Sequence, residues 1–315
     1  MARDSPRGLG RTLKGAPTPL REHVYRVTRI FAASQTTRHE REFGWFALTS
    51  RAPNPRLARY VTGPYLGWIE QTSRPVRRRE IASTAIPLIL NLGPRYVIRD
   101  ARAPQVVHSR GSFIAGLADG CTFVDSATES CAIQVNFAPL DAYRVFGVPM
   151  ASLANATVEL EDLVGASAGE LIARLHDAST WDERFDLLDA FLLDRLRCAA
   201  STVPEVDWMW TQIVQSHGRV AIGSFARATG RSHKYLISRF HEQVGLTPKM
   251  VARIVRFERV AERLRTASGV RSSELALDAG YCDQSHLLRD FTAFAGTTPT
   301  TYRAQVVPDG GVIDW

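Results

Sequence analysis

No run in this sequence approaches the roughly 18 consecutive apolar residues of a membrane span, so no transmembrane helix is expected. The stretch Met1 to Lys14 has arginines and glycines but lacks the apolar core of a secretory signal, which points to a cytoplasmic protein with a basic leader. Cysteine is scarce. Cys121, Cys131, Cys198 and Cys282 form no Cys-x-x-Cys pair, and no close histidine pair accompanies them. A zinc site or redox couple needs ligands or thiols at short spacing, so neither is expected; reduced thiols in a reducing compartment are. Cys121 and Cys131, ten residues apart on neighbouring predicted strands, are the one pair able to bridge. No His-x-His occurs, and the strand-rich region holds His108 alone, with His39 before it. A metal-dependent β-barrel enzyme needs clustered imidazoles, so no metal and no cofactor are expected.

What is present is an ordinary globular composition, 45% hydrophobic and 23% charged, over 315 residues, enough for two domains. The charge is unevenly placed. Residues 218–307 hold 14 Lys or Arg against 7 Asp or Glu, while the remainder holds 25 of each. The whole net charge of +7 therefore sits in the C-terminal segment, as a polyanion partner would require.

The chain divides into a leader (1–43) without periodicity, read as disordered or loosely packed; a β-rich segment with trailing helices (44–199); a helical segment (200–307); and a short tail (308–315). Ile86–Leu92, Tyr96–Ile98, Ser112–Gly116, Cys121–Val124 and Cys131–Phe137 are short apolar runs broken by turns, the pattern of an antiparallel sandwich or barrel. From Pro139 the spacing turns helical, with Leu171, Leu175, Phe185, Leu188, Phe191, Leu192 and Leu196 three or four apart. Ala199 to Pro204 reads as a linker. The fold class is α+β, an N-terminal antiparallel β domain followed by an all-α domain.

The all-α part repeats itself. Arg239-Phe240 to Gly245-Leu-Thr-Pro248 recurs 51 residues later as Asp290-Phe291 to Gly296-Thr-Thr-Pro299, and Phe225 to Gly230 recurs as Leu275 to Gly280. Each copy reads helix, glycine turn, helix, then Thr-Pro opening another helix. Gly230 and Gly280 suit the left-handed residue that ends a helix. Ser232 and Asp283 are N-caps. Leu236 with Phe240, and Leu287 with Phe291, are i, i+4 anchors on the second helix. Thr247-Pro248 and Thr298-Pro299 are cap and first-turn proline. Such a unit presents its second helix to the DNA major groove.

The run Ala276-Leu-Asp-Ala-Gly-Tyr-Cys-Asp-Gln-Ser-His-Leu-Leu-Arg-Asp-Phe291, followed by Gly296-Thr-Thr-Pro299 and Tyr302-Arg303, resembles the AraC/XylS family of bacterial transcription regulators. The first copy, with Leu236, Phe240, Gly245 and Pro248, fits the same pattern, and the resemblance covers about residues 205–305. It implies two recognition helices in successive major grooves of double-stranded DNA, joined by a long helix for which Pro248–Leu264 is suited. Carried over by position, it implies DNA contacts from Ser232, His233, Lys234, Ser238 and Arg239 in the first copy, and from Asp283, Gln284, Ser285 and Arg289 in the second. Gln284 and Arg289 are the best base readers, because their side chains make two hydrogen bonds to one base edge. The family commonly has an arginine where this chain has Ser238; here it comes one residue later, about 100° round the helix, which aims Arg239 at phosphate or the linker helix. Ile237 and Leu288 are either core or thymine-methyl contacts.

The family also implies a cupin- or jelly-roll-like N-terminal domain that binds a small-molecule effector or forms a homodimer, and RNA polymerase as a further partner. Trp45, Trp68, Glu70 and Arg95 are the candidate effector residues, three aromatic or basic groups round a carboxylate. The expected function is sequence-specific transcription regulation, not catalysis. Rival readings are a cupin-type metalloenzyme or a DNA-alkyl repair protein fused to DNA-binding units. The first lacks its histidines, and Cys121 and Cys131 lack the adjacent Pro or His that would activate a thiol for the second.

Overall fold

The run Ile86–Asn91 is apolar at nearly every position, and such a strand must be covered on both faces. A computed structural model, describing residues 33–41, 43–266, 272–306 and 313–314, shows how. With strands numbered in chain order, β5 (Ile86–Asn91) lies inside a sheet ordered β1 (Gln35–Arg41), β2 (Gly44–Arg51), β3 (Tyr65–Thr72), β10 (Glu129–Phe137), β5, β8 (Phe113–Ala115), β11 (Thr157–Glu159). A second sheet runs β12 (Ile313–Asp314), β4 (Val76–Glu80), β9 (Thr122–Ser126), β6 (Tyr96–Asp100), β7 (Val107–Arg110). Every strand pairing among the described residues is antiparallel.

Register sorts the side chains onto two faces. Ile89, Phe113 and Ala132 meet Tyr96 and Ile98 of the second sheet in a small apolar cluster, with Trp68 and Val124 against it. Their neighbours Leu88, Leu90, Ile133 and Val135 point the other way, into the main core shared with the helices. Successive residues of a strand alternate faces, so one register serves both cores.

The helices follow in chain order: α1 (Pro139–Phe146), α2 (Leu160–Val164), α3 (Ala166–Asp177), α4 (Trp181–Arg195), α5 (Pro204–Gln215), α6 (Ser224–Thr229), α7 (His233–Val244), α8 (Pro248–Thr266), α9 (Ser272–Ala279), α10 (Gln284–Ala295) and α11 (Pro299–Gln305). Helix α4 opens on a capping box, in which Thr180 and Glu183 each accept a hydrogen bond from the other's backbone N–H. Its Asp189 is buried and accepts from Arg51 Nη2 at 2.9 Å and from the Tyr65 hydroxyl at 2.8 Å, pinning α4 to the sheet.

Two segments differ from expectation. Residues 35–41, read above as leader, form β1, paired along its length with β2. The segment Gln-Thr-Thr-Arg-His-Glu-Arg is polar throughout, so its strand comes from edge pairing with β2, not from an apolar face. The rest of the leader, residues 1–32 and 42, lies outside the described residues. In the tail, Ile313 and Asp314 pair with Arg78 and Arg77 of β4, so the chain end supplies an edge strand to the second sheet. The four cysteines are free thiols. No helix among the described residues is long and apolar enough to cross a membrane.

The β-rich part and the all-α part share one continuous apolar core. Polar contacts bind the seam. Arg79 Nη1 donates to the carbonyls of Ala295 at 3.3 Å and Gly296 at 3.0 Å, covering the open end of α10. Gly296 has φ 63°, and a Cβ there would lie 2.4 Å from Cys121 Sγ, so only glycine allows this approach. Glu258 on α8 accepts from the Thr84 amide at 2.7 Å and the Thr84 hydroxyl at 2.8 Å.

Enclosure in the seam pushes the Glu258 carboxyl above the usual range, against the lowering effect of the two Thr84 bonds. A raised acid holds its proton in the folded state over a range where the unfolded chain has lost it. Stability therefore falls as pH rises from the ordinary Glu range through the folded value. Glu258→Gln keeps an acceptor for Thr84 and has no proton to lose. Its melting temperature is expected to decline less than the wild type's between about pH 5 and about pH 8. Equal declines in the two proteins would contradict this reading of Glu258.

Candidate nucleic-acid interface

Both repeats fold as two helices about a glycine turn. In the first, α6 ends at Gly230 with φ 68°, and Ser232 caps α7 by accepting from the Tyr235 amide at 3.2 Å. In the second, α9 ends at Gly280 with φ 84°, and Asp283 caps α10 by accepting from the His286 amide at 2.7 Å. The second turn carries one residue more than the first. Tyr281 and Cys282 stand where the first turn has Arg231 alone, and Tyr281 is buried, edge-on to His286 with ring centroids 5.1 Å apart. Thr247 and Thr298 cap α8 and α11 through the Met250 and Thr301 amides, both at 3.3 Å. The anchors Leu236, Phe240, Leu287 and Phe291 are all buried.

With the anchors inward, the remaining stripe of each second helix faces solvent. Ser232, His233, Lys234, Ser238 and Arg239 are exposed on the first, and Asp283, Gln284, Ser285 and Arg289 on the second. Ile237 is half-buried, while Leu288 is 36% exposed and lies among the surface residues of α10. Arg239 is held on the flank of α7, bonded to Glu242 at 2.6 Å and 5.9 Å from the Tyr235 ring centre, and the Glu242 carboxylate holds its guanidinium above the usual range. Arg289 reaches only its own helix, with Nε 3.4 Å from the Ser285 carbonyl.

Helix α8 joins the two units. Val251, Ile254, Val255 and Leu264, the residues expected to face inward, are buried, and Phe257 packs against Phe291 and Phe294 at 5.1 and 5.4 Å. Most of its arginines are engaged. Arg253 donates to Asp290 at 2.7 Å, Arg256 to the Gly218 carbonyl at 2.6 Å, and Arg263 lies 3.6 Å from Asp278. Arg219, just before α6, bonds the Asp278 carbonyl and so links the two units directly. Sequence reasoning missed the open groove of about 470 Å³ between these helices, lined by Lys249, Arg253 and Arg256 of α8 and His286, Arg289 and Asp290 of α10. Lys249, Arg253 and Arg256 stand at i, i+4 and i+7, one helical stripe, and that spacing was the available signal.

The candidate effector residues fall in three places. Trp68 and Glu70 share the face of β3 between the sheets. There Trp68 Nε1 donates to Ser130 Oγ at 3.0 Å, and Glu70, 4% exposed, is held by Arg78 at 2.5 and 2.6 Å. Tyr96 joins this cluster through Ser130 at 2.7 Å, and burial pushes its phenol up to about 12. Trp45 pairs with Gln71, whose neighbour in β3 is Glu70, and therefore lies on the opposite face, under the Arg38 guanidinium at 4.2 Å. Arg95 is outside, bonded to Glu159 at 2.5 Å. Among the described residues no three His, Cys, Asp or Glu side chains converge as a metal site would need.

Two helix–turn–helix units on one connecting helix, each with its anchors buried and its caps exposed, are thus in place. Residues 225–305 match the family model described as a helix-turn-helix domain. The chain carries an AraC/XylS-type DNA-binding domain. It is a DNA-binding transcription regulator. Residues 49–159 of the regulator match a second family model, described as a domain of unknown function (DUF6597). No curated protein matches the chain. Among solved structures, the regulator is similar to the C-terminal domain of AraT, a response regulator from Geobacillus stearothermophilus (22% identity, 33% of this chain and 88% of that one, TM-score 0.31). It is also similar to ToxT from Vibrio cholerae (8% identity, 78% and 98%, TM-score 0.45). A third likeness is to the DNA-binding domain of AdpA, a global transcriptional factor solved with a target DNA (19% identity, 32% and 92%, TM-score 0.30).

The Asp290 carboxylate is 4% exposed, so its removal leaves Arg253 unpaired in a half-buried site. Asp290→Ala is expected to lower the unfolding free energy by about 2–3 kcal/mol, below the full cost of breaking a buried pair because water still reaches Arg253. Urea denaturation measures it, and a loss under about 0.5 kcal/mol would show the pair to be a surface contact in energetic terms.

Proposed function

We propose that this regulator reads double-stranded DNA with α7 and α10 together, and that α10 carries at least as much of the sequence preference as α7. The observation behind this is the state of the arginines. Arg289 stands exposed on the solvent stripe of α10, beside Gln284 near its start, whereas Arg239 of α7 is neutralised by Glu242 on its flank. Arginine and glutamine recognise guanine and adenine edges through paired hydrogen bonds, each worth about 1–3 kcal/mol of discrimination. Lys234, Ser238 and His233 lack that forked geometry, and Lys234 and the capped start of α7 are assigned to phosphate.

The DNA-binding segment is taken as residues 200–307, and residues 44–199, which carry most of the two sheets, as the sensing and dimerising segment. Trp68, Glu70, Arg78, Tyr96 and Ser130 form one hydrogen-bonded group between the sheets, and the effector role is assigned to it, with Trp45 and Arg95 outside it. The edge strand β7, with Val107 51% exposed beside Val106 at 46%, supports pairing with a second copy.

Selection from a randomised duplex library tests the division of labour. Arg289→Ala is expected to lose preference at one base pair, by about 1–3 kcal/mol, and Lys234→Ala to weaken binding to all sequences alike. If Arg289→Ala selects the wild-type site and Lys234→Ala does not, the assignment is reversed.

A further inference from the structure

The groove between α8 and α10 has a lining unlike a base-reading surface. Lys249, Arg253, Arg256 and Arg289 are cations, and Asp290 is the one carboxylate among the six residues that line it. That carboxylate is buried and spent on Arg253, whose Nη2 and Nε lie 2.7 and 3.2 Å from it. It therefore does not cancel the charge of the others. Arg256 is fixed by the Gly218 carbonyl at 2.6 Å and lies 5.6 Å from the Tyr281 ring centre. Lys249 and Arg289 are exposed. Lysine and arginine donate hydrogen bonds and accept none, so this lining suits a group made only of acceptors.

Its place in the fold narrows the ligand. Two recognition helices entering successive major grooves on one face of B-DNA are about one helical turn, roughly 34 Å, apart. Between them the duplex shows its minor groove, bounded by two sugar-phosphate strands. The element that spans the two units is α8, and the groove runs beside it from Lys249 in its first turn to Arg289 on the reading face of α10. We propose that this groove is a phosphodiester site which seats one DNA backbone strand between the two reading heads, with Lys249 and Arg256 as its cations on α8 and Arg289 shared with the base-reading stripe. The Asp290–Arg253 pair sets its wall. The inference rests on the DNA-binding reading above and adds a sequence-independent clamp to it.

The test uses the full chain and the duplex it selects. Lys249 is exposed, so Lys249→Ala leaves the fold intact, which circular dichroism checks. Loss of one phosphate contact is expected to reduce the slope of log K against log salt by about 0.9, and so to weaken binding about eightfold at 0.1 M salt relative to a 1 M reference. Base preference stays as in the wild type, and Lys249→Arg restores the slope. A neutral methylphosphonate at one linkage between the two half-sites is expected to weaken the wild type by a similar factor and the Lys249→Ala variant much less. An unchanged slope and affinity in Lys249→Ala, with wild-type base preference intact, overturns the groove and leaves the DNA reading standing. Failure of the wild type to bind any duplex at low salt overturns both. Calorimetric binding of inorganic phosphate alone that Lys249→Ala abolishes, with its DNA salt slope unchanged, overturns the proposal in favour of a free-anion site.

Discussion

The spacing of the two reading heads depends on the burial of one face of α8. Val251, Ile254, Val255, Phe257, Val260 and Leu264 are buried along it, and they meet α10 through Phe291 and Phe294 and belong to the same core as Met209 and Ile213 of α5. Each such side chain gains about 1.5–3 kcal/mol from leaving water. The gain is non-directional, so it holds the units together without choosing their angle. A wedge of three aromatic rings, Phe257 between Phe291 and Phe294, resists sliding, because close-packed rings have few alternative arrangements.

Direction comes from the polar contacts laid over that core. Arg253 with Asp290 fixes α10 against α8, Arg256 with Gly218 fixes α8 against the loop before α6, and Arg219 with Asp278 crosses from one unit to the other. Further contacts reach into the β-rich part, from Thr84 to α8 and from Arg79 to the end of α10, while the Val203 amide ahead of α5 donates to Gln243 of α7 at 3.0 Å. The one ion pair among them, Arg253 with Asp290, returns little net stability, since desolvation offsets most of the attraction; like the hydrogen bonds beside it, it supplies a penalty for the wrong geometry. Both second helices also end against the β-rich part, α7 where Gly245 packs on the Met150 backbone and α10 where Gly296 packs on Cys121.

The helix–turn–helix units were legible in the sequence because their signals are local: a glycine where φ turns positive, a cap, an i, i+4 anchor, a Thr-Pro start, all within about twenty residues and all present twice. The antiparallel β character was legible from the spaced apolar runs. Residues 35–41 were not, because an edge strand needs no apolar alternation when its neighbour supplies the hydrogen bonds. The groove was not, because its two walls are about forty positions apart in sequence and meet only after α8 and α10 pack. The role of Tyr281 was hidden for a different reason: an alignment of the repeats by their glycines absorbs the longer second turn silently, although Tyr281 within it is buried beside Arg253, Arg256 and Asp290. Trp45 and Glu70 illustrate the period-two rule at its most severe, since pairing registers alone place them on opposite faces of one sheet.

The exposure of the reading stripes has a bearing on how such a protein changes over time. His233, Lys234, Ser238, Gln284, Ser285 and Arg289 lie outside the packed core, so exchanging them alters folding free energy by no more than about 0.5 kcal/mol in the ordinary case. The anchors, the caps and the Arg253–Asp290 pair have no such freedom. Operator preference is thus free to drift, or to be re-engineered, one exposed side chain at a time, while the frame that spaces the two helices is held fixed by the packing it must satisfy.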